Sequence, residues 1–178
     1  MKIGYMLLTL VLVAPMNNTL AKNESIAPFE ATGDGPRFYI DYSNFQGVDN
    51  LTYTEFYIQI SYNELQFVKR GNRFVSGYDL EFEVLDEENN VIESYSNTDI
   101  FQVDNFSETE SMTKARVSMI AFTFEPGVYR IKAAMLDRET RKSAKLHRKF
   151  TAHSFKQENL LISDIQFSQK IEVCNEQR

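Results

Sequence analysis

A chain of 178 residues with 43% apolar content suits one domain with its own core, and 14 Phe with 9 Tyr tilt it towards strands. A formal charge of −6 speaks against nucleic acid as a partner, since phosphate binding needs a cationic face. A single cysteine excludes an internal disulfide, so the fold must rest on packing.

Met1 and Lys2 make a short positive start, Ile3 to Met16 is an apolar run, and Thr19-Leu20-Ala21 puts small residues where a signal peptidase reads. Residues 1–21 are therefore expected to be a secretory signal peptide cut after Ala21. The run is short for a membrane span and nothing later approaches one, so no stable span is expected after cleavage. Cleavage removes Lys2 and no acid, which takes the charge from −6 to −7. No cysteine lies near the cut to carry a lipid. The mature protein is expected to be exported, either periplasmic or extracellular.

Residues 22–36, polar and broken by Pro28, Gly33, Gly35 and Pro36, read as a flexible leader. A β-sandwich domain is expected over 37–153. Arg37 to Tyr42 is its first strand, with Phe38, Ile40 and Tyr42 on one face, and Asn44, Gly47 and Asn50 mark the turn after it. Thr52 to Tyr62 alternates Phe56, Ile58, Ile60 and Tyr62 against Tyr53, Glu55, Tyr57 and Gln59. Leu65 to Arg70 followed by Gly71-Asn72 predicts a hairpin. Arg73 to Leu85 returns with Phe74, Tyr78, Leu80, Phe82 and Val84 inward. Asp86 to Asn90 reads as a turn, Val91 to Tyr95 as a strand, Ile100 to Val103 as a separate short one, and Asp104 to Met112 as a loop.

The rest of the domain is arranged around Glu125 to Ile131. Upstream, Lys114 to Phe124 is largely apolar on both faces, which fits either a central strand covered twice or one near a sandwich edge. Pro126-Gly127 predicts a type II turn in which the glycine supplies φ > 0. Downstream, Tyr129, Ile131, Ala133 and Met135 form the core face. Tyr129 stands where a tyrosine corner returns its hydroxyl to the preceding backbone; an ordinary half-buried tyrosine is the alternative. After a turn at Asp137 to Ser143, Ala144, Leu146 and Phe150 alternate with Lys145, His147 and Lys149. Short strands separated by turns, with no long helix, predict an all-β fold: an antiparallel two-sheet, immunoglobulin-like β-sandwich. Residues 154–178 read as a C-terminal tail or the start of a missing second domain, with Leu160 to Phe167 as an apolar island that is a last strand in the first case.

The run Phe56-Tyr57-Ile58-Gln59-Ile60, with Leu65-Gln66-Phe67-Val68, Gly127-Val128-Tyr129 and Ile162-Ser163-Asp164-Ile165-Gln166-Phe167, resembles the amino-terminal region of exported bacterial proteins named for a Gly-Trp-x-Thr-Asp motif, the GWxTD domain proteins. The resemblance spans roughly Phe38 to Phe167. It implies export and a β-sandwich, with a second region that carries the naming motif. This chain has no tryptophan, so the motif itself is absent, which implies a shortened relative or a fragment of a longer reading frame. The family has no well-defined biochemical activity to carry over.

Chemistry-bearing residues are scattered. His147 and His153 are the only two histidines, and Lys145, Arg148, Lys149 and Lys156 surround them, which disfavours a divalent metal. No serine stands in a Gly-x-Ser-x-Gly elbow, and Cys174 has no histidine near it in sequence. No metal site, cofactor motif or catalytic set is read, and the expectation is a non-enzyme. The acidic turn Asp86 to Asn90 offers oxygen ligands but lacks the spacing of a calcium loop. Cys174 is left as a loose terminal thiol or a link to another chain.

Charge is unevenly placed: Asp79 to Glu110 holds eleven acids and no Lys or Arg, while Asp137 to Lys156 holds seven Lys and Arg against two acids. This fits complementary charges on adjacent strands, or an interface in which the acidic face of one copy meets the basic face of another copy or of a partner. Tyr53 and Tyr57 share the polar face of one strand, as a stacking platform for sugar would require; cover by a loop or a following domain is the other reading. The leading expectation is an interaction module that meets a protein partner or its own missing second domain. A carbohydrate- or small-ligand-binding module using Tyr53 and Tyr57 is the alternative.

Overall fold

The computed structural model describes residues 29–156 and 162–165. The signal-peptide segment, Cys174 and most of the tail lie outside the described residues. Two antiparallel sheets face each other. One contains β1 (Phe29–Glu30), β3 (Phe38–Gln46), β4 (Thr52–Ser61) and β8 (Ala115–Phe124), in the order β1-β3-β4-β8. The other contains β2 (Thr32–Gly33), β10 (Ser143–Ala152), β9 (Gly127–Asp137), β6 (Arg73–Leu85) and β5 (Val68–Arg70), in that order, with β7 (Val91–Val103) also on β6. The fold is an all-β sandwich. A single helical turn, α1 (Phe106–Thr109), interrupts the loop between β7 and β8. No helix among the described residues is long and apolar enough to cross a membrane.

Period-two alternation produces the layers, because successive side chains on a strand point to opposite faces. Phe38 and Ile40 of β3, Phe56, Ile58 and Ile60 of β4, Leu80, Phe82 and Val84 of β6, and Ile131, Ala133 and Met135 of β9 are all buried. Phe56 is the centre of the core: its ring lies 5.0 Å from Phe82 and 5.0 Å from Phe150, both on the opposite sheet. At about 25 cal/mol per Å² of buried apolar surface, each such ring contributes on the order of 2–3 kcal/mol.

The link between β8 and β9 carries the chain from one sheet to the other, and β9 lies inside its sheet between β10 and β6. The type II turn is not what forms there. Gly127 is absent from the positive-φ residues and already pairs with Ala152 as the first residue of β9. Its lack of a side chain leaves room beside the Tyr129 ring, which a Cβ would meet at 3.6 Å. Gly71 does take positive φ, at 63°, in the β5–β6 hairpin, where the mirror-image turn demands it.

Three boundaries differ from the sequence reading. The leader is ordered from Phe29: β1 pairs with Tyr39 and Ile40, β2 pairs with Ala144 and Lys145, and Ala31 is buried in the core. The glycines that suggested flexibility permit close approach instead, since a Cβ on Gly35 would lie 2.3 Å from the Ser143 backbone. β3 runs on through Asn44 to Gln46, and the turn falls at Val48–Asn50, where Asp49 and Asn50 take positive φ. Val91–Val103 is one strand, because continuous pairing to β6 carries it through the polar Ser96 to Asp99. Of the two places the sequence left open for β8, it takes the sheet edge, and Val117 and Met119 are exposed because they lie on the outer face of the sandwich.

Candidate functional site

Tyr129 forms the bond that defines a corner: its hydroxyl donates to the Glu125 carbonyl at 2.8 Å. Its ring stacks on Phe150 at 5.5 Å and lies 5.0 Å from Phe124. The hydroxyl therefore ties the inter-sheet link to β9 while the ring closes that end of the core. Burial first, and then the Glu125 charge, push the phenol above its ordinary value, so it stays a donor at neutral pH. Tyr129 carries this contact, with Gly127 lying beside its ring; the Pro126-Gly127 turn expected from sequence is not part of it.

Tyr53 and Tyr57 share the outer face of the four-stranded sheet and are half-buried. Glu55 lies between them on that face and accepts the Tyr57 hydroxyl. Tyr57 stands between Asp41 on β3 and Met119 on β8, and Tyr53 stands beside Phe45, ring centroids 6.4 Å apart. Burial, followed by the Glu55 charge, raises the Tyr53 phenol above its usual range. This face continues onto β8 as Val117 and Met119, which are 59% and 55% exposed. It is an apolar and aromatic surface with one carboxylate at its centre.

The other distinctive surface is β7. Tyr78–Leu85 of β6 pairs with β9 along one edge and with β7 along the other, so β7 is the last strand of its sheet. No described residue pairs with its outer edge. Its outward face carries Ser94, Ser96, Thr98 and Ile100; its inward face carries Glu93, Tyr95, Asn97, Asp99 and Phe101. The opposing sheet ends at β8, which reaches over β6 through Phe122 on Phe82 and meets β7 at Asp99. There Arg116 Nε donates to Asp99 at 2.8 Å with its guanidinium over Phe101, and the buried Tyr78 hydroxyl lies 3.3 Å from the same carboxylate. Beyond that cluster Tyr95 and Asn97 are exposed even on the inward face. β7 is thus open on its edge and, in its middle, on both faces.

The charge asymmetry resolves into local pairings and a remainder. Asp79 pairs with Arg138 at 2.6 Å, Asp104 with Arg73 at 3.1 Å, and Glu83 faces Lys132 across β6 and β9. Thr98 donating to Asp79, with Arg138 beside it, holds that carboxyl below its ordinary value. Glu81, Glu83, Glu87, Glu88 and Glu93 make no ion pair among the described residues. In the Asp86 to Asn90 turn, the Asp86 carboxylate is taken up by the Asn90 backbone and side-chain amides, and Arg130 Nη1 donates to the Glu87 carbonyl and Asn89 Oδ1. The Asp86 carboxylate is thus occupied by Asn90, and a guanidinium holds the Glu87 carbonyl and the Asn89 amide oxygen of the same turn. Among the described residues no three His, Cys, Asp or Glu side chains gather as metal ligands. His147 and His153 are exposed on and just beyond β10.

Sequence reasoning missed Asn44. It is fully buried, and its side chain accepts from the Thr54 hydroxyl at 2.9 Å while donating to the Thr151 carbonyl at 3.1 Å. Its N–H donates to Asp164 Oδ2 at 2.8 Å, and the Asp164 N–H donates back to its carbonyl at 3.0 Å. Asn44 thus joins β3, β4, β10 and the 162–165 segment, and it leaves Ile162 and Ile165 exposed at the surface. The even-numbered series Phe38, Ile40, Tyr42, Asn44 carried the signal, but an asparagine in a stretch that also holds Gly47 and Asn50 reads more readily as a turn.

No family model matches this chain, and no curated protein matches it. A solved structure described as "X-ray structure of Northeast Structural Genomics Consortium target SoR45" is similar at 8% identity with a TM-score of 0.42, over 77% of this chain and 100% of that one. The described residues form a two-sheet antiparallel β-sandwich, with β7 ending one sheet and β8 the other.

Proposed function

We propose that the protein is an exported, non-enzymatic β-sandwich module, periplasmic or extracellular, that works through protein–protein contacts or as the front domain of a larger envelope protein. The observation that carries this reading is β7, a 13-residue edge strand presenting Val91, Ile92, Tyr95 and Ile100 to solvent. Natural sheets blunt long edges with lysine, proline, bulges, inward-pointing charges or a covering element. β7 has no lysine or proline; its bulge and the inward Glu93 lie at its start and Asp99 is paired with Arg116, so Ser94 to Thr98 carries none of these devices. The resemblance to GWxTD domain proteins and the signal-peptide pattern support the exported compartment and the front-domain role. The test is a photo-crosslinking side chain at Ile100, with the same group at Val48 on the β3–β4 turn as control. A discrete protein adduct from Ile100 and none from Val48 is expected in intact cells; equal labelling from both, or none, refutes the reading.

A second reading is favoured by Glu55 between Tyr53 and Tyr57, an aromatic pair with a central acceptor that suits a sugar ring. Glycan-array binding that disappears in a Tyr53→Ala, Tyr57→Ala double variant would support it; an array blank for the native protein removes it.

A further inference from the structure

We infer that β7 is the acceptor for an added strand: an extended, lysine- or arginine-bearing segment of another protein pairs along its outer edge and extends the six-stranded sheet. This rests on the interaction-module reading above and specifies its partner and mode. The length of β7, its open edge and its exposure on both faces let an incoming strand form ladder hydrogen bonds without displacing anything on the described surface.

The charge pattern selects the occupant. Glu81 and Glu83 lie one strand in from the edge on the outward face, across from Ser96 and Ser94. Glu93 is on β7 itself, and Glu87 and Glu88 stand in the turn at its start. None of these carboxylates lies within ion-pair distance of a cation among the described residues, Lys132 of β9 being the cross-strand neighbour of Glu83, and no Lys or Arg occurs from Asp79 to Glu110. A second copy joined edge to edge through β7 would bring two such regions together, which like-charge repulsion opposes. A cationic strand finds unpaired acids on the outward face and apolar contact at Ile100 and Tyr95. The same acidity that keeps copies apart therefore favours a basic partner.

The test uses a short synthetic peptide alternating lysine with valine, its glutamate–valine counterpart, and amide hydrogen exchange of the full protein. In the free protein every second amide of 91–103 points away from β6 and exchanges fast. The lysine peptide is expected to slow that set by about tenfold. The effect should be lost when ionic strength rises from about 0.1 to about 1 M, which shortens the screening length from about 10 to about 3 Å. A Ser94→Lys, Ser96→Lys variant, changed only at exposed outward positions, should keep its urea midpoint and lose the response to the lysine peptide. Unchanged β7 exchange, equal slowing by the glutamate peptide, or slowing that depends on protein concentration alone (a second copy on the edge) each overturns the inference. If Ile100 captures a partner in cells while the lysine peptide leaves β7 unchanged, the module reading stands and strand addition falls.

Discussion

Replacing Tyr129 by phenylalanine removes a single oxygen and isolates the corner. The ring keeps its contacts with Phe150 at 5.5 Å and Phe124 at 5.0 Å, so packing is retained. What goes is the bond to the Glu125 carbonyl at 2.8 Å, on the rim of the core where water can reach the freed acceptor. A net cost of about 1 kcal/mol follows, the usual value for one intramolecular hydrogen bond. For a domain of this size that corresponds to about 4 °C in Tm. Tyr129→Ala removes the ring as well and should cost about 2–3 kcal/mol, below a fully buried aromatic because the site is half-exposed. Gly127→Ala is the control: its Cβ meets the Tyr129 ring at 3.6 Å, an ordinary contact, and its φ is not left-handed, so a change within about 0.5 kcal/mol is expected. Urea unfolding read by circular dichroism measures all three. A Tyr129→Phe midpoint equal to wild type, or a Gly127→Ala loss as large as that of Tyr129→Ala, would refute the reasoning.

Phe56→Ala empties the centre of the core and should cost about 3–5 kcal/mol by urea titration. Asn44→Ala strands the Thr54 hydroxyl and the Thr151 carbonyl, with an expected cost of about 2–3 kcal/mol, and it should also speed amide exchange at Asp164. The Arg37 guanidinium, hydrogen-bonded to Glu64 at 2.7 Å, holds that carboxyl below its ordinary 4.5. A depressed carboxylate contributes stability above its unfolded value and loses it as pH falls through its folded one. Because Arg37 is largely exposed, the contribution is about 0.5 kcal/mol. Glu64→Gln should therefore be weaker at neutral pH and show a flatter loss of stability in acid melts. Val117→Ser with Met119→Ser should leave stability within about 0.5 kcal/mol, because both side chains already face water; a larger loss in thermal melts would mean that face is covered.

The layers were legible because one physical rule writes them. Alternation in Thr52 to Tyr62, in Arg73 to Leu85 and after Tyr129 named Phe56, Leu80, Phe82, Ile131 and Met135 as core, and all are buried. The corner was also legible, since tyrosine two residues after glycine at a strand start is a local pattern. What misled was residue type read without its partner. Gly33 and Gly35 suggested a loose leader, but close approach to β10 is the reason for them, and only the tertiary contact shows it. Asn44 was assigned to a turn on propensity, yet its three neighbouring elements satisfy it inside the core. The polar middle of β7 broke a strand on paper because propensity reflects half-buried surface, and an edge open on both faces makes no such demand. The unpaired edge itself had no signal in sequence, since strand order is set by pairing across the sheet.

Amide exchange along Val91–Val103 in the free protein tests the open edge most directly. Slow and fast amides should alternate residue by residue, the slow ones bonded to β6 and the fast ones facing solvent. Uniform protection along the strand would mean that the edge is already covered within the chain, and the account of β7 as a docking strand would be wrong.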